Sequence, residues 1–525
     1  MKKLLTLLLN AIVLICFSAP TDTIPPMMPP RLPINHELLP HIHLNRSEHL
    51  ELTNLVIFIR FADDEEFTET LEHIDQMFND TTPGSISVRN YYHTMTYGKI
   101  NYNTVYTNNN QDSVIISYQD PYPRSYYRPY SPINPDGYTN STTREFELLA
   151  RVLKYVDSLH LVDSTINLDG NNDGLIDNIS FILKGDVDSW YNLLWPHMYY
   201  FNPYYAGLSE NLYINGKVPY CYNFEFANSS DYFTTSTFCH EMGHSLGLPD
   251  LYHYNDYPYI YPVFYWDMMG QNDLQQVSAI IKYKYLGIID EPIEITEDGH
   301  YVLNSLTSSD QNNCYFIRSS THPEQWFTIE YRNKNDFMET VPHSGVIIGR
   351  WYDNADVNHE TASGNAYFNN SSIPHAYWVF RPNSSNDITN GNINNAAFGY
   401  DNRTSFGPNT NPHPYLTNGT LETSFEITNI QYYGDQASFD VHFLSTGIST
   451  HENRNIHIYP NPTKDVLILS INDVSRVEIY DLLGRIILSE TYPDSEINVS
   501  LLQQGTYFVK IFTDNNCYTE KFIKQ

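Results

Sequence analysis

The chain has 525 residues, and its 61 acidic and 29 basic side chains give a formal net charge of -32. This length predicts about two to four domains and enough apolar material for a large core. The acidic excess gives the chain no overall attraction for nucleic acid or anionic membranes, so functions that rest on such attraction are excluded.

The N-terminus has the pattern of a secretory signal peptide. Two lysines precede an apolar run over residues 4–17, which is too short to span a membrane. We therefore predict a signal peptide over residues 1–18 and an exported protein without a transmembrane segment. Residues 19–50 are rich in proline, which indicates an extended leader or a short propeptide. The sequence does not indicate whether this segment inhibits the mature protein.

Strand and helix patterns alternate over residues 51–290. Leu55–Ile59 is a continuous apolar run, which predicts a buried strand. Residues 143–159 carry apolar side chains at helical spacing. Further helices are predicted over residues 70–78, from Ser87 to near Tyr97, and over residues 275–286.

An oxygen-rich segment, residues 169–177, matches the front of a calcium-binding loop. Oxygen side chains stand at loop positions 1, 3, 5 and 9, and Gly174 stands at position 6, where the chain must turn sharply. The glutamate expected at position 12 is replaced by Ser180, so the loop is not a complete EF-hand. We predict a structural calcium ion; the alternative is a polar turn without metal. The predicted ligands are Asp169, Asn171, Asp173, the carbonyl of Leu175, and Asp177.

Residues 240–250 contain the H-E-x-x-H signature of zinc proteases. On a helix, His240 and His244 point to one side, so both imidazoles can bind one metal ion. Glu241 lies one step round the helix, where a general base can reach a water on that metal. The alternative is a core helix with two hydrogen-bonded histidines and a surface glutamate. The motif predicts a catalytic zinc ion with Glu241 as the base.

A third zinc ligand is expected after this helix. Gly247 can end the helix in a left-handed conformation, and Pro249 prevents it from resuming, so the chain turns back and brings Asp250 toward the histidines. Some zinc proteases take their third ligand from a glutamate on a following helix. In this chain the next glutamate after Glu241 is Glu291, which lies beyond the methionine turn. We therefore predict Asp250 as the third ligand, with His253 as the alternative.

Two apolar segments flank the zinc helix in the chain. Trp266–Gly270 predicts a tight turn in which Met268 or Met269 forms a hydrophobic floor below the metal; the alternative is two ordinary core methionines. Leu193–His197 predicts a strand beside the site helix, where an extended substrate can pair. We expect His197 to be a packed histidine, with a ligand role as the alternative.

The cysteines do not form a disulfide scaffold. The chain has 5 of them, too few and too scattered for that class of protein. Cys221 and Cys239 flank the run into the zinc helix, and the sequence is compatible with a disulfide between them or with two free buried thiols.

The sequence pattern changes after residue 290. Short alternating runs separated by turn residues predict a β-rich domain over residues 291–445. Regularly spaced strand patterns predict a small β-sandwich, which we place at residues 446–525. The predicted strands are His300–Leu303, Trp326–Tyr331, Gly345–Trp351, Ala437–Phe443, Val466–Ser470, Val474–Tyr480, Arg485–Glu490 and Thr506–Phe512.

Several motifs between residues 50 and 445 occur in a characteristic order. They are SVRNYY with YGK, then WPH, then HEMGHSLGLPDLY followed by WDMMG, with Ile329–Arg332 and Ser344–Ile348 later in the chain. Together they resemble the immune inhibitor A metallopeptidases, although Arg350–Trp351 stands where a histidine is more usual. The resemblance implies a metzincin-like α+β catalytic domain, with an HExxHxxGxxD helix and a methionine turn, and then a β-rich domain. It also implies calcium at the Asp169 loop.

The tail carries a separate set of motifs: Tyr459–Pro462, Val477–Arg485, Gly505–Lys510 and a basic end with Lys521 and Lys524. This set resembles the C-terminal sorting domain of the type IX secretion system. The resemblance implies that the secretion machinery is a partner and that the protein is released or attached to the cell surface. The alternative is a carbohydrate-binding β-module.

These observations predict a secreted zinc endopeptidase that acts on extracellular proteins. The chain shows no Ser or Cys nucleophile motif that competes with the zinc motif. The alternative function is a surface adhesin that uses its tyrosine-rich β-region and keeps an inactive zinc site. The intact Glu241 favours the enzyme, because a structural zinc ion has no need of a base.

Overall fold

The computed structural model describes residues 49–525, except 108–113, 189–192, 228–232, 253–259, 354–374, 388, 445–457, 471–473, 483, 492–495 and 514–516. The predicted signal peptide, almost all of the predicted leader and His253 therefore lie outside the described residues. The chain forms two compact units, which divide between Phe443 and Leu444. In the described part of the chain, no helix is long and apolar enough to cross a bilayer.

In the first unit, helices and strands alternate up to residue 245, and strands predominate after it. The helices are α1 (Leu71–Asn79), α2 (Val88–Met95), α3 (Ser141–Ser158), α4 (Thr235–Ser245) and α5 (Ala279–Ile281), which continues as a π-helical turn over Lys282–Leu286. The strands are β1 (Leu50–Arg60), β2 (Ile100–Tyr106), β3 (Tyr118–Gln119), β4 (Asn178–Leu183), β5 (His197–Tyr200), β6 (Cys221–Phe226), β7 (Ile293–Glu294), β8 (Gly299–Asn304), β9 (Cys314–Arg318), β10 (Gln325–Arg332), β11 (Gly345–Tyr352), β12 (Tyr377–Val379), β13 (Phe425–Tyr433) and β14 (Gln436–Phe443).

The central sheet of this unit has the order β2-β1-β4-β6-β5, and the short β3 also pairs with β1. All its pairs are parallel except β5 with β6. Along β1, Val56 and Phe58 face the core that contains residues of α2 and α4, whereas Leu55 and Ile57 face the core built on α3. Burial on both faces explains why Leu55–Ile59 is apolar throughout.

Most of the predicted elements of the first unit are confirmed. The structure has the buried strand at Leu55–Ile59 and helices α1, α2 and α3 close to their predicted bounds. Two predictions need correction. The predicted helix over residues 275–286 is only the short α5 and its π-helical turn, and the strand expected over Leu193–His197 begins at His197.

The strands after residue 290 form two sheets, β12-β11-β10-β9-β7 and β13-β14-β8. Their inner faces share an apolar core that includes Ile329, Ile348 and Phe439. Arg332 of β10 is fully buried, and its guanidinium donates hydrogen bonds to the carbonyls of Trp266 and Gln276. The β-region therefore supports the turn that contains the two methionines.

The second unit is a β-structure with its own core. Its strands are β15 (Ile458–Tyr459), β16 (Val466–Leu469), β17 (Val474–Tyr480), β18 (Ile486–Thr491), β19 (Glu496–Asn498), β20 (Gly505–Thr513) and β21 (Cys517–Lys524). They form one sheet in the order β15-β16-β19 and another in the order β18-β17-β20-β21. Leu467, Val477 and Val509 are among the buried core residues.

Candidate metal centre

Helix α4 has a defined start and a defined end. The hydroxyl oxygen of Thr234 accepts a hydrogen bond from the backbone N–H of Thr237, which caps the N-terminus. At the other end Gly247 has a φ of 87°, the left-handed conformation that the sequence predicts. Its backbone N–H donates to the carbonyl of His244 at 2.9 Å. This turn directs the chain back toward the helix and brings Asp250 to the histidines.

Both histidines of the motif converge on Asp250. The Nε2 atoms of His240 and His244 lie 3.1 Å and 3.4 Å from the same oxygen, Oδ1 of Asp250. One ligand atom from each of the three residues lies within 4.8 Å of the others. Across the described residues, no other group of three His, Cys, Asp or Glu side chains has this spacing.

The remaining ring nitrogens are held by backbone carbonyls. Nδ1 of His240 lies 3.1 Å from the carbonyl oxygen of Met268, and Nδ1 of His244 lies 2.7 Å from that of Leu248. A carbonyl can only accept, so each Nδ1 carries the hydrogen and donates it. Each Nε2 is thereby turned toward the shared centre, as outer hydrogen bonds do at zinc sites. Two imidazoles and one carboxylate form a donor set that fits zinc.

The three groups strongly affect one another's charge. Burial alone lowers the pKa of His244, but the charge and hydrogen bond of Asp250 outweigh burial and raise that pKa to about 9. Asp250 likewise outweighs burial and raises the pKa of His240. Burial raises the pKa of Asp250, yet the two histidines hold it well below its usual range. Asp250 therefore favours protonated imidazoles, and a bound cation would compete with those protons.

The methionine turn lies directly against α4. The sulfur of Met269 is 3.2 Å from the position that a Cβ atom on Gly243 would occupy, so a side chain at residue 243 would press on this sulfur. The carbonyl of Met269 accepts a hydrogen bond from Leu251 N–H at 2.7 Å, next to Asp250. Met268 is also buried and supplies the carbonyl that binds His240. The turn therefore supports the helix, one histidine and the Asp250 segment together.

A buried polar network fixes the end of α4 on the central sheet. Ser245 Oγ donates to Asn178 Oδ1 at 2.6 Å. The amide nitrogen of Asn178 donates to Asn54 Oδ1 and Asn223 Oδ1, both at 2.8 Å. These hydrogen bonds connect the C-terminal end of α4 to strands β1, β4 and β6.

The general-base candidate has a buried carboxyl group near it. Glu241 is 9 % exposed, and Glu225 of β6 is completely buried. Burial, followed by the charge of Glu241, raises the pKa of Glu225 well above its usual range. Glu225 is not among the residues predicted from the sequence. A signal was present, because the strand sequence CYNFEF contains a charged residue among aromatic ones.

The predicted calcium loop forms a compact turn with one competing cation. The carboxylate of Asp169 accepts from the backbone N–H groups of Asp173 and Gly174, at 2.9 Å and 3.0 Å. It also accepts from the ammonium group of Lys217 at 2.6 Å. The Asp177 carboxylate accepts from the N–H groups of Thr53 and Gly170. Lys217 was not predicted, because it lies far from the loop in sequence.

Part of the loop surrounds a small cavity. Its volume is about 10 Å³, close to the space that one water-sized particle needs. The walls come from the loop on one side and from Cys221 and Ser245 on the other. The loop residues that line it are Asn171, Asp173, Leu175 and Asp177.

The other predicted residues have structural positions. His197 is buried, with Nδ1 2.6 Å from the carbonyl oxygen of Trp195 and Nε2 3.0 Å from the Glu145 carboxylate, so it is packed away from the metal centre. Cys221 and Cys239 are buried free thiols.

Comparison with known proteins identifies the tail. Residues 457–525 match the family model of the secretion system C-terminal sorting domain. An ulvan lyase of Nonlabens ulvanivorans is 25% identical over 108 residues, which are 19% of this chain and 20% of the lyase. PorZ, a surface component of the type IX secretion system of Porphyromonas gingivalis, aligns with 11% identity over 38% of this chain and 35% of PorZ. Its TM-score of 0.13 carries no argument about the fold.

The chain thus spans about a fifth of the ulvan lyase and about a third of PorZ. The family match, however, covers every described residue of the second unit except Leu444, including all the strands of its two sheets. The protein carries a type IX sorting domain at its C-terminus, and it is secreted or placed on the outer surface of the cell.

Proposed function

We propose that the protein is a secreted zinc-dependent endopeptidase of the immune inhibitor A type, which hydrolyses peptide bonds of extracellular proteins. The observation that carries the proposal is the convergence of His240, His244 and Asp250 on one point, with Glu241 on the same helix. When bound, zinc supplies Lewis-acid chemistry, which activates a water and polarises the scissile carbonyl.

The side chains of this chain have distinct parts in that reaction. His240, His244 and Asp250 would hold the metal ion through two imidazole nitrogens and a carboxylate oxygen. The Glu241 carboxylate accepts the proton of the attacking water at one oxygen and then gives it to the leaving amine nitrogen. Met268 and Leu248 orient the two imidazoles through their carbonyls.

The central sheet offers a place for the substrate backbone. β5 is antiparallel to β6 and pairs with no other described strand, so it is an edge of the sheet. An extended peptide can add to such an edge through backbone hydrogen bonds. The mixed sheet with one antiparallel edge strand and the site helix on one face supports the metzincin-like arrangement.

We also propose that the loop over residues 169–177 binds a structural calcium ion. The small cavity lined by its oxygen-bearing residues supports this proposal, and the ion pair between Lys217 and Asp169 indicates that calcium has to displace an ammonium group.

The enzyme proposal is tested with unfolded casein as substrate. The wild-type protein is expected to cleave casein in a zinc-dependent manner. Glu241→Ala is expected to keep its zinc and to lose at least ~100-fold in rate, because general-base catalysis contributes ~10²–10⁴-fold. If the wild type and the variant are equally inert with and without zinc, the protein is not a peptidase and the adhesin alternative takes its place.

A further inference from the structure

A surface groove lies between the helix–strand part of the first unit and its β-region. Its volume is about 720 Å³, and it is built by the loop before α2, the residues on either side of the methionine turn, and the connection from β10 to β11. The apolar residues that line it are Ile86, Tyr265, Leu274, Phe337, Met338 and Val341. Ile86 is 58 % exposed and Phe337 is 37 % exposed, so the groove presents apolar surface to the solvent.

Hydrogen bonds hold the walls of this groove in place. The side chain of Asn90 in α2 donates to the carbonyls of Thr82 and Ser85 at 3.3 Å and 3.0 Å, which fixes the loop before this helix. The side-chain amide of Gln276 donates to the carbonyl of Met338 at 3.2 Å and so joins the other two walls. A groove that is already formed loses little conformational entropy when a ligand binds.

One carboxylate of the groove has no cation beside it. The charged residues that line the groove are Asp273, Lys334, Asp336 and Glu339. Glu339 pairs with Arg332 at 2.5 Å. Asp336 accepts a hydrogen bond from Asn333, and the ammonium group of Lys334 donates to a backbone carbonyl. Within the described part of the chain, the exposed carboxylate of Asp273 has neither an ion pair nor a hydrogen bond, so the groove can accept one more positive charge.

The leader of this chain contains a segment whose chemistry matches the groove. Residues 25–31 read PPMMPPR, in which Pro26 and Pro29 have the P-x-x-P spacing and Arg31 follows them. Proline-rich segments favour the polyproline-II conformation, and P-x-x-P segments dock in grooves lined by aromatic residues. Methionines between the prolines can adapt to irregular apolar walls. Arg31 carries the positive charge that Asp273 lacks.

The leader joins the described chain close enough to reach the groove. The first described residue, His49, has its Nδ1 3.0 Å from the carbonyl oxygen of Gly98, just past the C-terminal end of α2. The groove wall at residues 84–86 precedes the other end of this helix, whose 8 residues span about 12 Å. The chain from Arg31 to His49 can span up to ~60 Å when extended.

We propose that residues 25–31 of the leader dock in this groove of their own chain as a polyproline-II ligand. The prolines pack against Tyr265 and Phe337, and Arg31 pairs with Asp273. The docked leader then bridges the helix–strand part and the β-region. This proposal does not depend on peptidase activity.

Photo-crosslinking from the leader tests the docking in the full chain. A benzophenone amino acid is placed at residue 28, and Glu241→Ala is included so that self-cleavage cannot remove the leader. After irradiation, mass spectrometry is expected to find crosslinks to residues 84–86, 265–274 and 334–342. A mixture of isotope-labelled and unlabelled protein shows whether a crosslink joins two molecules. Crosslinks mainly to other segments, crosslinks mainly between molecules, or no crosslinks would each overturn the proposal.

Charge reversal tests the contact between Arg31 and Asp273. Arg31→Glu and Asp273→Arg are each expected to lower the crosslink yield ~2–5-fold, the range for an exposed ion pair, and the double variant is expected to restore it. Phe337→Ala should also lower the yield. Ile133→Ala is the matched control, because Ile133 is 97 % exposed and does not line the groove, and it should leave the yield unchanged. A double variant that crosslinks no better than the single variants contradicts this contact.

Discussion

The triad on α4 and the loop from Asp169 to Asp177 both gather metal-binding groups, but they use them differently. In the triad, backbone carbonyls occupy the far side of each imidazole, and the ligand atoms face one another. In the loop, the carboxylates already accept backbone N–H groups, and Lys217 provides a positive charge. In both places the residue spacing brings metal-binding groups together. Groups from elsewhere in the chain, such as the Met268 carbonyl and the Lys217 ammonium group, then affect how strongly each site binds a cation.

Removal of Asp250 is expected to have the largest effect, and the effect is on zinc affinity. Asp250→Ala leaves two imidazoles without their carboxylate, so we expect zinc affinity to fall by more than the ~10–100-fold that loss of an outer partner costs. Competition with a zinc-binding dye measures it. Asp157→Ala, on the exposed side of α3, is the control and should bind zinc as the wild type does. Full zinc binding by Asp250→Ala would instead direct attention to His253, the predicted alternative.

Loss of the Met269 side chain tests whether the methionine turn supports the metal centre. Met269→Ala removes a buried side chain that packs against Gly243, so the free energy of unfolding should fall by ~2–5 kcal/mol. Met269→Leu keeps the volume and should cost less than ~1.5 kcal/mol. Thermal unfolding of the zinc-loaded proteins measures both changes. Equal midpoints for Met269→Ala and the wild type would show that the turn does not support the site.

Calcium effects are expected to be smaller, because the loop is held by its own hydrogen bonds. Chelation of calcium should lower the unfolding midpoint, and Asp173→Ala should have the same effect. Lys217→Met removes the competing ammonium group and should raise calcium affinity in a calorimetric titration. If neither chelation nor Asp173→Ala changes the midpoint, the loop is a polar turn without metal.

The loop also has a defined pH dependence. Burial, followed by the charges of Asp169 and Asp173, raises the pKa of Asp177 to about 6 from its ordinary value of 3.8. The calcium-free folded protein therefore holds a proton that the unfolded chain has released, and its stability falls as pH rises between these values. Calcium requires the ionised carboxylate, so its stabilising effect should grow as pH rises through about 6. Unfolding midpoints with and without calcium across this range measure the effect, and a constant difference would contradict it.

The parts of the site that were predicted from sequence are those that local geometry determines. Helical spacing places His240 and His244 on one face, and the Gly247 turn returns Asp250 to them within a few residues. The supports of the site were not predicted, because they come from residues far apart in the chain. The carbonyl of Met268, the bond from Ser245 to Asn178 and the ion pair of Lys217 all depend on how the elements pack.

The same distinction applies to the fold. The apolar run of β1 and the periodicity of α3 identify these elements directly. By contrast, the insertion of Arg332 beneath Trp266 depends on the placement of the β-region against the methionine turn, and no pattern around either residue indicates it. The sorting domain was recognised because its motifs lie in order along a short segment.

Anomalous scattering at the zinc edge, measured on crystals of the zinc-loaded protein, tests the central claim most directly. We expect one strong peak within bonding distance of Nε2 of His240, Nε2 of His244 and the carboxylate of Asp250. A map with no peak at these three atoms, or with the zinc ion bound elsewhere in the chain, would contradict it.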